Sequence, residues 1–475
     1  MNPKPRSSKS ISKIIMLQKH KSKLFLFLIS GFFQLVIYYN LFTIGNLGEN
    51  ITLFLSNYIL LFAVYSLTLY YCMKNGFVKS YFSRYLALMF LFSILFRSLM
   101  VISDVSLSTD ILRYLWDGML LNNGIDPYKY IPLSSELDRF KDVEFYQAYD
   151  HKGEFTPYPP FSQLFFTISY LIFNANITGM KFLLSVFDIL NGALIILLIL
   201  KIRGDTFQAF QGALIYLWNP LVIIEFSHSG HIDALAIFLT LLSLYFLSKL
   251  SVINSSVLIL LSALTKWFSL LFVPLYIRYL FKKSKRYFSL AIVSISIAFS
   301  ILVIPFYLSS RFNFVMGMIY FIKNWRFESF LSRIITISFQ LDTPGELYIA
   351  KITSYLIFLG SYFFILYKSK LHQVSNVIEY SILTLLIFYL VTPAIFPWYM
   401  LWILALFSIL KIDRRTWLAI ALSGISVISY VMEFYPLSEL EFWFAYMLWF
   451  VPIVCIYFLH ISELIKHGER ARASV

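Results

Sequence analysis

Apolar stretches of about 20 residues recur along the chain from Leu24 to His460, separated by short segments that hold most of the Lys and Arg. A helix of that length rises about 30 Å, the thickness of the hydrocarbon core of a bilayer. Composition agrees: 59% of the 475 residues are hydrophobic and 13% are charged, where an ordinary soluble domain is about 25% charged. The chain reads as an all-α, polytopic integral membrane protein with about 12 to 14 membrane helices, re-entrant segments included. Membrane lipids are its first expected partners.

The net charge of +14 is a topology signal and implies no nucleic-acid partner, because the basic residues cluster between apolar runs. The clusters include the N-terminal tail, Lys74/Lys79/Arg84, Lys201/Arg203, Lys282 to Arg286, Lys368/Lys370, Lys411 to Arg415 and Lys466 to Arg472. Placing all of them on the cytoplasmic side puts both termini there. The basic start followed by an apolar run resembles a signal peptide, yet no small-residue cleavage pattern follows, so Leu24 begins a retained first span. Residues 1–23 and 466–475 are expected as cytoplasmic tails around a membrane domain of 24–465. Cys72 and Cys455 support neither a disulfide framework nor a cysteine zinc site.

After expected spans near 24–44, 51–72 and 85–103, the longest polar stretch, 104–160, lies outside and carries ten Asp and Glu residues. A long loop in a compact protein usually carries function. The apolar segment 159–174 is short and is drawn as interfacial or re-entrant. Spans near 178–200, 207–226 and 232–249 follow. Residues 252–281 form a V broken around Lys266, and after a span near 285–308 a second outer segment occupies 309–345. Spans near 347–367, 377–394, 398–410, 416–431 and 440–461 complete the chain.

Ionisable residues that a membrane would reject gather toward the outer face: Asp110, Arg113, Asp117, His228, His231, Asp233 and Lys266. Asp110, Arg113 or Tyr114, and Asp117 share one face if their segment is helical. The plain alternative is that Asp110 caps the helix and Arg113 pairs with Asp117. Arg97, about two turns below Asp104, is a candidate to pair with it. His228, His231 and Asp233 fit no strong metal-ligand spacing, so no metal and no cofactor are expected.

The runs Asp110-Ile-Leu-Arg113-Tyr114-Leu-Trp116-Asp117-Gly118, Asn123-Gly-Ile-Asp-Pro-Tyr128 and Tyr158-Pro-Pro160 resemble the first luminal loop of the GT-C glycosyltransferases. The likeness is greatest to their bacterial polyprenyl-phosphate-dependent mannosyltransferase branch, and more distant to the GPI mannosyltransferases and aminoarabinose transferases. Gly230-His231-Ile-Asp233, Lys266 in Leu264-Thr-Lys-Trp267, Asn324-Trp-Arg326-Phe and Pro397-Trp398-Tyr399 follow in family order. Relatives often carry an acidic pair where this chain has Thr109-Asp110, so Asp110 alone is carried over as the catalytic carboxylate, with Asp104 as fallback.

The resemblance implies inverting transfer of a hexose, mannose in this branch, from a polyprenyl-phosphate donor to a glycan or glycolipid acceptor on the extracytoplasmic face of a bacterial inner membrane. The acceptor hydroxyl must lose a proton, while the phosphate leaves readily, so one base suffices where a glycosidase needs two carboxylates. Asp110 takes the role of base. Arg113, Lys266 and Arg326 are expected at the donor phosphate and sugar, with Tyr158, His231 and Asp233 shaping that site and Tyr114, Asp117 and Asp104 supporting it. Lys266 as a snorkelling residue and Arg326 as an interfacial anchor stay open as alternatives. A lipid-linked sugar flippase would favour paired repeats along a central path, and an O-antigen polymerase or ligase a large loop late in the chain. Neither pattern is present.

Overall fold

A computed structural model describes residues 8–75, 82–324, 330–341, 343–392, 395–434 and 439–473. Among these the chain is helical throughout, with no strand. In chain order the helices are α1 (Ser8–Ile44), α2 (Ile51–Asn75), α3 (Phe82–Ile102), α4 (Asp110–Asn122), α5 (Glu144–Gln147), α6 (Pro160–Phe173) and α7 (Ile177–Arg203). Then come α8 (Thr206–Leu217), α9 (Pro220–Ile223), α10 (Asp233–Ser248), α11 (Val252–Ala263), α12 (Val273–Lys283), α13 (Lys285–Ser310) and α14 (Asn313–Asn324). The last are α15 (Phe330–Phe339), α16 (Pro344–Lys368), α17 (Val374–Val391), α18 (Met400–Ile409), α19 (Arg414–Ile425), α20 (Ile428–Phe434) and α21 (Glu439–Ala473).

Seven helices are long and apolar enough to cross a bilayer, and an eighth span results if α8 and the bent segment after it count as one. Their outward faces confirm the solvent. In α13 the residues Ile297, Ile301 and Leu308, and in α16 Leu356, Phe363 and Phe364, are all largely exposed. Rows of bare aliphatic and aromatic side chains along full-length helices fit lipid, not water. The chain is therefore an integral membrane protein. Several segments expected as spans are shorter than a full crossing: α10 has 16 residues, α18 has 10 and α19 has 12.

Local sequence explains the breaks that shape the interior. The Asn176 side chain accepts from Gly179 N to start α7, and Gly204 ends that helix at φ +66°. Asp205 then caps α8 through the amides of Phe207 and Gln208. Pro220 lacks an amide hydrogen, so α8 cannot continue. Asn219 caps the new start by accepting from Leu221 N, and the axis bends by 54°. The helix then widens into a π turn over Ile224–His228, a form often found at functional sites.

The expected break around Lys266 is present. Helix α11 stops at Ala263, Lys266 is extended at φ −144°, and a 3-10 turn over Trp267–Leu271 leads into α12. Carbonyls freed at the break need donors, since lipid supplies none. The amides of Phe161 and Ser162, at the start of α6, donate to Leu264 O, and the Ser162 hydroxyl donates to Thr265 O at 2.6 Å. The short helix α6, drawn as interfacial from the sequence, thus closes the break. Gly118 lets α4 approach α6: a Cβ there would lie 2.5 Å from Phe166 O.

Arg97 does not pair with Asp104. Its Nε donates to Asp188 of α7 at 2.7 Å, and its Nη1 reaches Leu217 O at 3.0 Å. Both side chains are buried, and the pair ties α3 to α7. Asp104 itself is exposed.

Candidate active site

A cavity of about 380 Å³ opens between the segment that joins α3 to α6, the broken α11–α12 pair, α14 and the ends of α17 and α18. Its polar wall holds Asp110, Arg113, Tyr158 and Lys266; its apolar wall includes Leu270, Leu271, Phe321 and Phe388. The lining thus combines charged groups with a broad apolar surface. Beside it lies a second cavity of about 440 Å³, lined by Lys129, Tyr130, Tyr320 and Lys323, and sharing Glu154 and Phe155 with the first.

Asp110 is the first residue of α4, where the helix dipole favours an anion. Its side chain is 32% exposed, and Oδ2 lies 3.6 Å from His231 Nδ1. Burial alone would raise its pKa; pairing with His231 and the nearby Lys266 ammonium outweigh that and hold it below the usual carboxylate value. Around His231 the balance is similar. Burial lowers its pKa, but the carboxylates of Asp110 and Glu225 raise it to about 9.

Lys266 Nζ is 3.1 Å from Asp233 Oδ2, and lies 5.6 Å from the Tyr158 ring centre and 6.0 Å from that of Tyr399. Trp402 Nε1 donates to the other Asp233 oxygen at 2.8 Å. The side chain of Lys266 is 15% exposed while that of Asp233 is fully buried. Lys266 is thus no snorkelling residue: a buried carboxylate holds its ammonium at the cavity wall.

Arg113 and Asp117 form the helical pair that the spacing allowed, Nε to Oδ1 at 2.7 Å, with both side chains buried. Arg113 Nη1 donates to Glu154 O at 3.1 Å, while Nη2 is buried without a protein partner. Asp117 also accepts from Gln163 Nε2 at 3.1 Å. The pair organises the segment that joins α3 to α6 and leaves Nη2 without a hydrogen-bond partner among the described residues.

The structure places the remaining candidates around the cavity at different depths. His231 and Asp233 are fully buried and stand behind the cavity wall, reaching it only through Asp110 and Lys266. Tyr114 is a packing residue, stacked on Phe166 with ring centres 4.5 Å apart, its hydroxyl accepting from Ile232 N. Asp104 is absent from the cavity wall, where the further carboxylates are Glu154 and Glu433. His228 faces away from the site, toward the hydroxyls of Ser103 at 2.9 Å and Ser106 at 3.2 Å. Arg326 lies outside the described residues.

Sequence reading missed Glu225, fully buried, with Oε2 3.2 Å from His231 Nε2. A lone carboxylate inside the apolar run Leu221 to Phe226 was the available signal. Trp398 was noted only as part of the Pro397-Trp398-Tyr399 run; its ring stacks on His231 with centres 3.8 Å apart. Among the described residues no group of three or more His, Cys, Asp or Glu is arranged to hold a metal ion.

Gly230 joins the π turn to α10 at φ +73°, and a Cβ there would meet Ile111 Cδ1 at 2.6 Å. Gly230→Ala is expected to lose about 1 to 3 kcal/mol of stability from the left-handed backbone and the clash. Thermal unfolding in detergent checks this. Adding Ile111→Val, which removes Cδ1, should recover the steric part and leave the backbone part.

Across residues 99–282 the chain matches the family model described as Alpha-(1->6)-mannopyranosyltransferase, N-terminal domain. No curated protein matches the chain. The matched region contains Asp110, Arg113, Tyr158, Glu225, His231, Asp233 and Lys266, so the polar side of the cavity lies largely within the segment similar to that domain.

Proposed function

We propose that the chain is a membrane mannosyltransferase that moves a mannosyl residue from a polyprenyl-phosphate donor to a hydroxyl of a glycan or glycolipid on the extracytoplasmic face. The family match supports enzyme status and the glycosyltransferase class. The observation that carries the finer reading is a cavity with an ionised carboxylate and an ammonium on one wall and a lipid-compatible surface on the other.

In this reading the acceptor oxygen attacks C1 of the donor sugar, and its proton passes to Asp110. The C1–O bond to phosphate breaks, its electron pair leaves with the phosphate, and the carrier gains one negative charge. Lys266 and the spare Nη2 edge of Arg113 face that charge. Asp233 and His231 hold Lys266 and Asp110 in place, Tyr158 covers the ammonium, and Arg326 is a further cation for the donor. The acceptor approaches from the side of the second cavity, across Glu154 and Phe155. No metal is needed, because a single phosphate is displaced and side-chain cations meet its charge.

Inverting attack converts a β-linked donor into the α-linked product named by the family description. Purified protein in lipid nanodiscs, given radiolabelled β-linked polyprenyl-phosphate mannose and a panel of mannose-ended acceptors, is expected to form an α-linked product at a primary hydroxyl. The α-linked donor should be inert and EDTA should leave the rate unchanged. A rate abolished by EDTA and restored by one divalent ion overturns the metal-free mechanism. Failure with every sugar donor, together with carrier flipping in liposomes, overturns the transferase reading.

A further inference from the structure

His231 has a carboxylate at each ring nitrogen. Nδ1 lies 3.6 Å from Asp110 Oδ2 and Nε2 lies 3.2 Å from Glu225 Oε2. A neutral imidazole carries one N–H and one lone pair, so one carboxylate would then face a lone pair. Only the imidazolium presents a proton to both. The ring is fully buried and lies against the face of Trp398, tilted by 23°, an arrangement that favours a cation.

Glu225 is the less expected member. Its carboxylate is fully buried in a helix segment of apolar residues, where an unpaired charge is costly. The Tyr430 hydroxyl donates to it, 2.8 Å from one oxygen and 3.0 Å from the other. It forms an ion pair with His231. The π turn and Gly230 return the chain so that His231 N also donates to Glu225 O at 3.0 Å, fixing the two residues relative to each other.

The other cavity charges are committed elsewhere: Arg113 to Asp117 and Lys266 to Asp233. With Asp110 as its sole carboxylate, a desolvated His231 is free to pass its proton to Asp110, leaving a buried neutral imidazole and no ionised carboxylate at this point of the cavity. A second carboxylate behind the ring opposes that transfer. We propose that Glu225 is a positioning residue of the transfer site, acting through His231 to keep the imidazole cationic and Asp110 ionised and aimed into the cavity. This inference rests on the transferase reading.

The groups around His231 are Asp110 on α4, Glu225 on the π turn, Asp233 and Lys266 across the α10–α11 side, Lys181 of α7 against Gly230, and Tyr430 and Glu433 on α20. Since the two carboxylates raise His231 to about 9, the cation is present at neutral pH and is lost as pH rises through that value. Activity should then fall on the alkaline side. Glu225→Gln removes one supporting charge, so its alkaline limb should move down by about one unit or more, with kcat reduced at least about tenfold at pH 7.5 and KM little changed. Glu225→Asp should restore the limb in part.

A direct measurement needs no turnover. The chain has seven His residues, and selective ¹⁵N-histidine labelling, with the His231 signal assigned by its loss in His231→Gln, reads the ring's protonation in nanodiscs. Two protonated ring nitrogens at pH 7.5 in the wild type, and a lower titration midpoint in Glu225→Gln, are expected. A neutral His231 at pH 7.5, or an unchanged pH–rate profile in a folded Glu225→Gln protein, overturns the proposal. If Glu225→Gln does not fold, the wild-type spectrum still decides. A cationic His231 in a protein that transfers no sugar would sink the transferase reading while leaving the charge arrangement standing.

Discussion

Asp110→Asn is expected to leave a folded protein whose transfer rate is about a thousandfold below wild type, within the range that a positioned general base supplies. The amide keeps the size of the side chain and its place at the start of α4 but cannot take a proton from the acceptor. Stability should fall modestly, because the folded protein holds Asp110 below the usual carboxylate value and the amide gives up the pairing with His231 and Lys266. Substrate affinity should be nearly intact, so the loss belongs in kcat. Radiolabel transfer at saturating donor, beside a thermal unfolding curve, separates these effects. Transfer above a tenth of wild type would move the base to Glu154 or Glu433, the other carboxylates on the cavity wall. Asp104, exposed and away from that wall, is no longer the natural second choice.

Lys266→Met should have the next largest effect, and it should be double. Removing the ammonium withdraws a cation from the departing phosphate, expected to slow transfer about 100-fold or more. It also strands Asp233, fully buried, with only Trp402 donating to it. Breaking one side of a buried pair costs about 3 to 5 kcal/mol. Adding Asp233→Asn should recover most of that stability, since the amide oxygen still accepts from Trp402, but none of the activity. If stability and activity return together, Lys266 acts only as the partner of Asp233 and touches no phosphate. Lys266→Arg should be a poor substitute, because a planar guanidinium does not reproduce a compact ammonium held 3.1 Å from Asp233.

How far the sequence announced this arrangement depends on the kind of signal each residue leaves. Lys266 was visible because a cation in an apolar run demands a break or a partner, and it has both. The short apolar stretch before Asn174 gave away α6 by its length. Arg113 and Asp117 were visible as a pair, since helical spacing is local. Partners distant in sequence were invisible: Arg97 is 91 residues from Asp188, and no periodicity links them. Glu225 escaped notice because its run looked like an uninterrupted span, and nothing in single-residue propensity foretells a π turn. The layer behind the wall, in which His231 and Asp233 hold the residues that face the cavity, follows from the 54° bend after α8. Their names suggested contact with substrate; their burial assigns them a place one step removed.

The meeting of α6 with the break at Lys266 sets a limit on how this protein can admit a lipid. Two amides and two carbonyls, with a serine hydroxyl, form one clasp there, and it joins the start of α6 to the two residues just before Lys266. Parting it would bare several polar groups to hydrocarbon, at several kcal/mol each. On the proposed transferase reading, a carrier chain would meet a sealed seam at this break, while Phe321 and Phe388 offer it apolar lining elsewhere in the cavity. The clasp also makes the ammonium a sensor of the outer segment: a shift of Pro159 to Ser162 that kept these bonds would carry Lys266 with it.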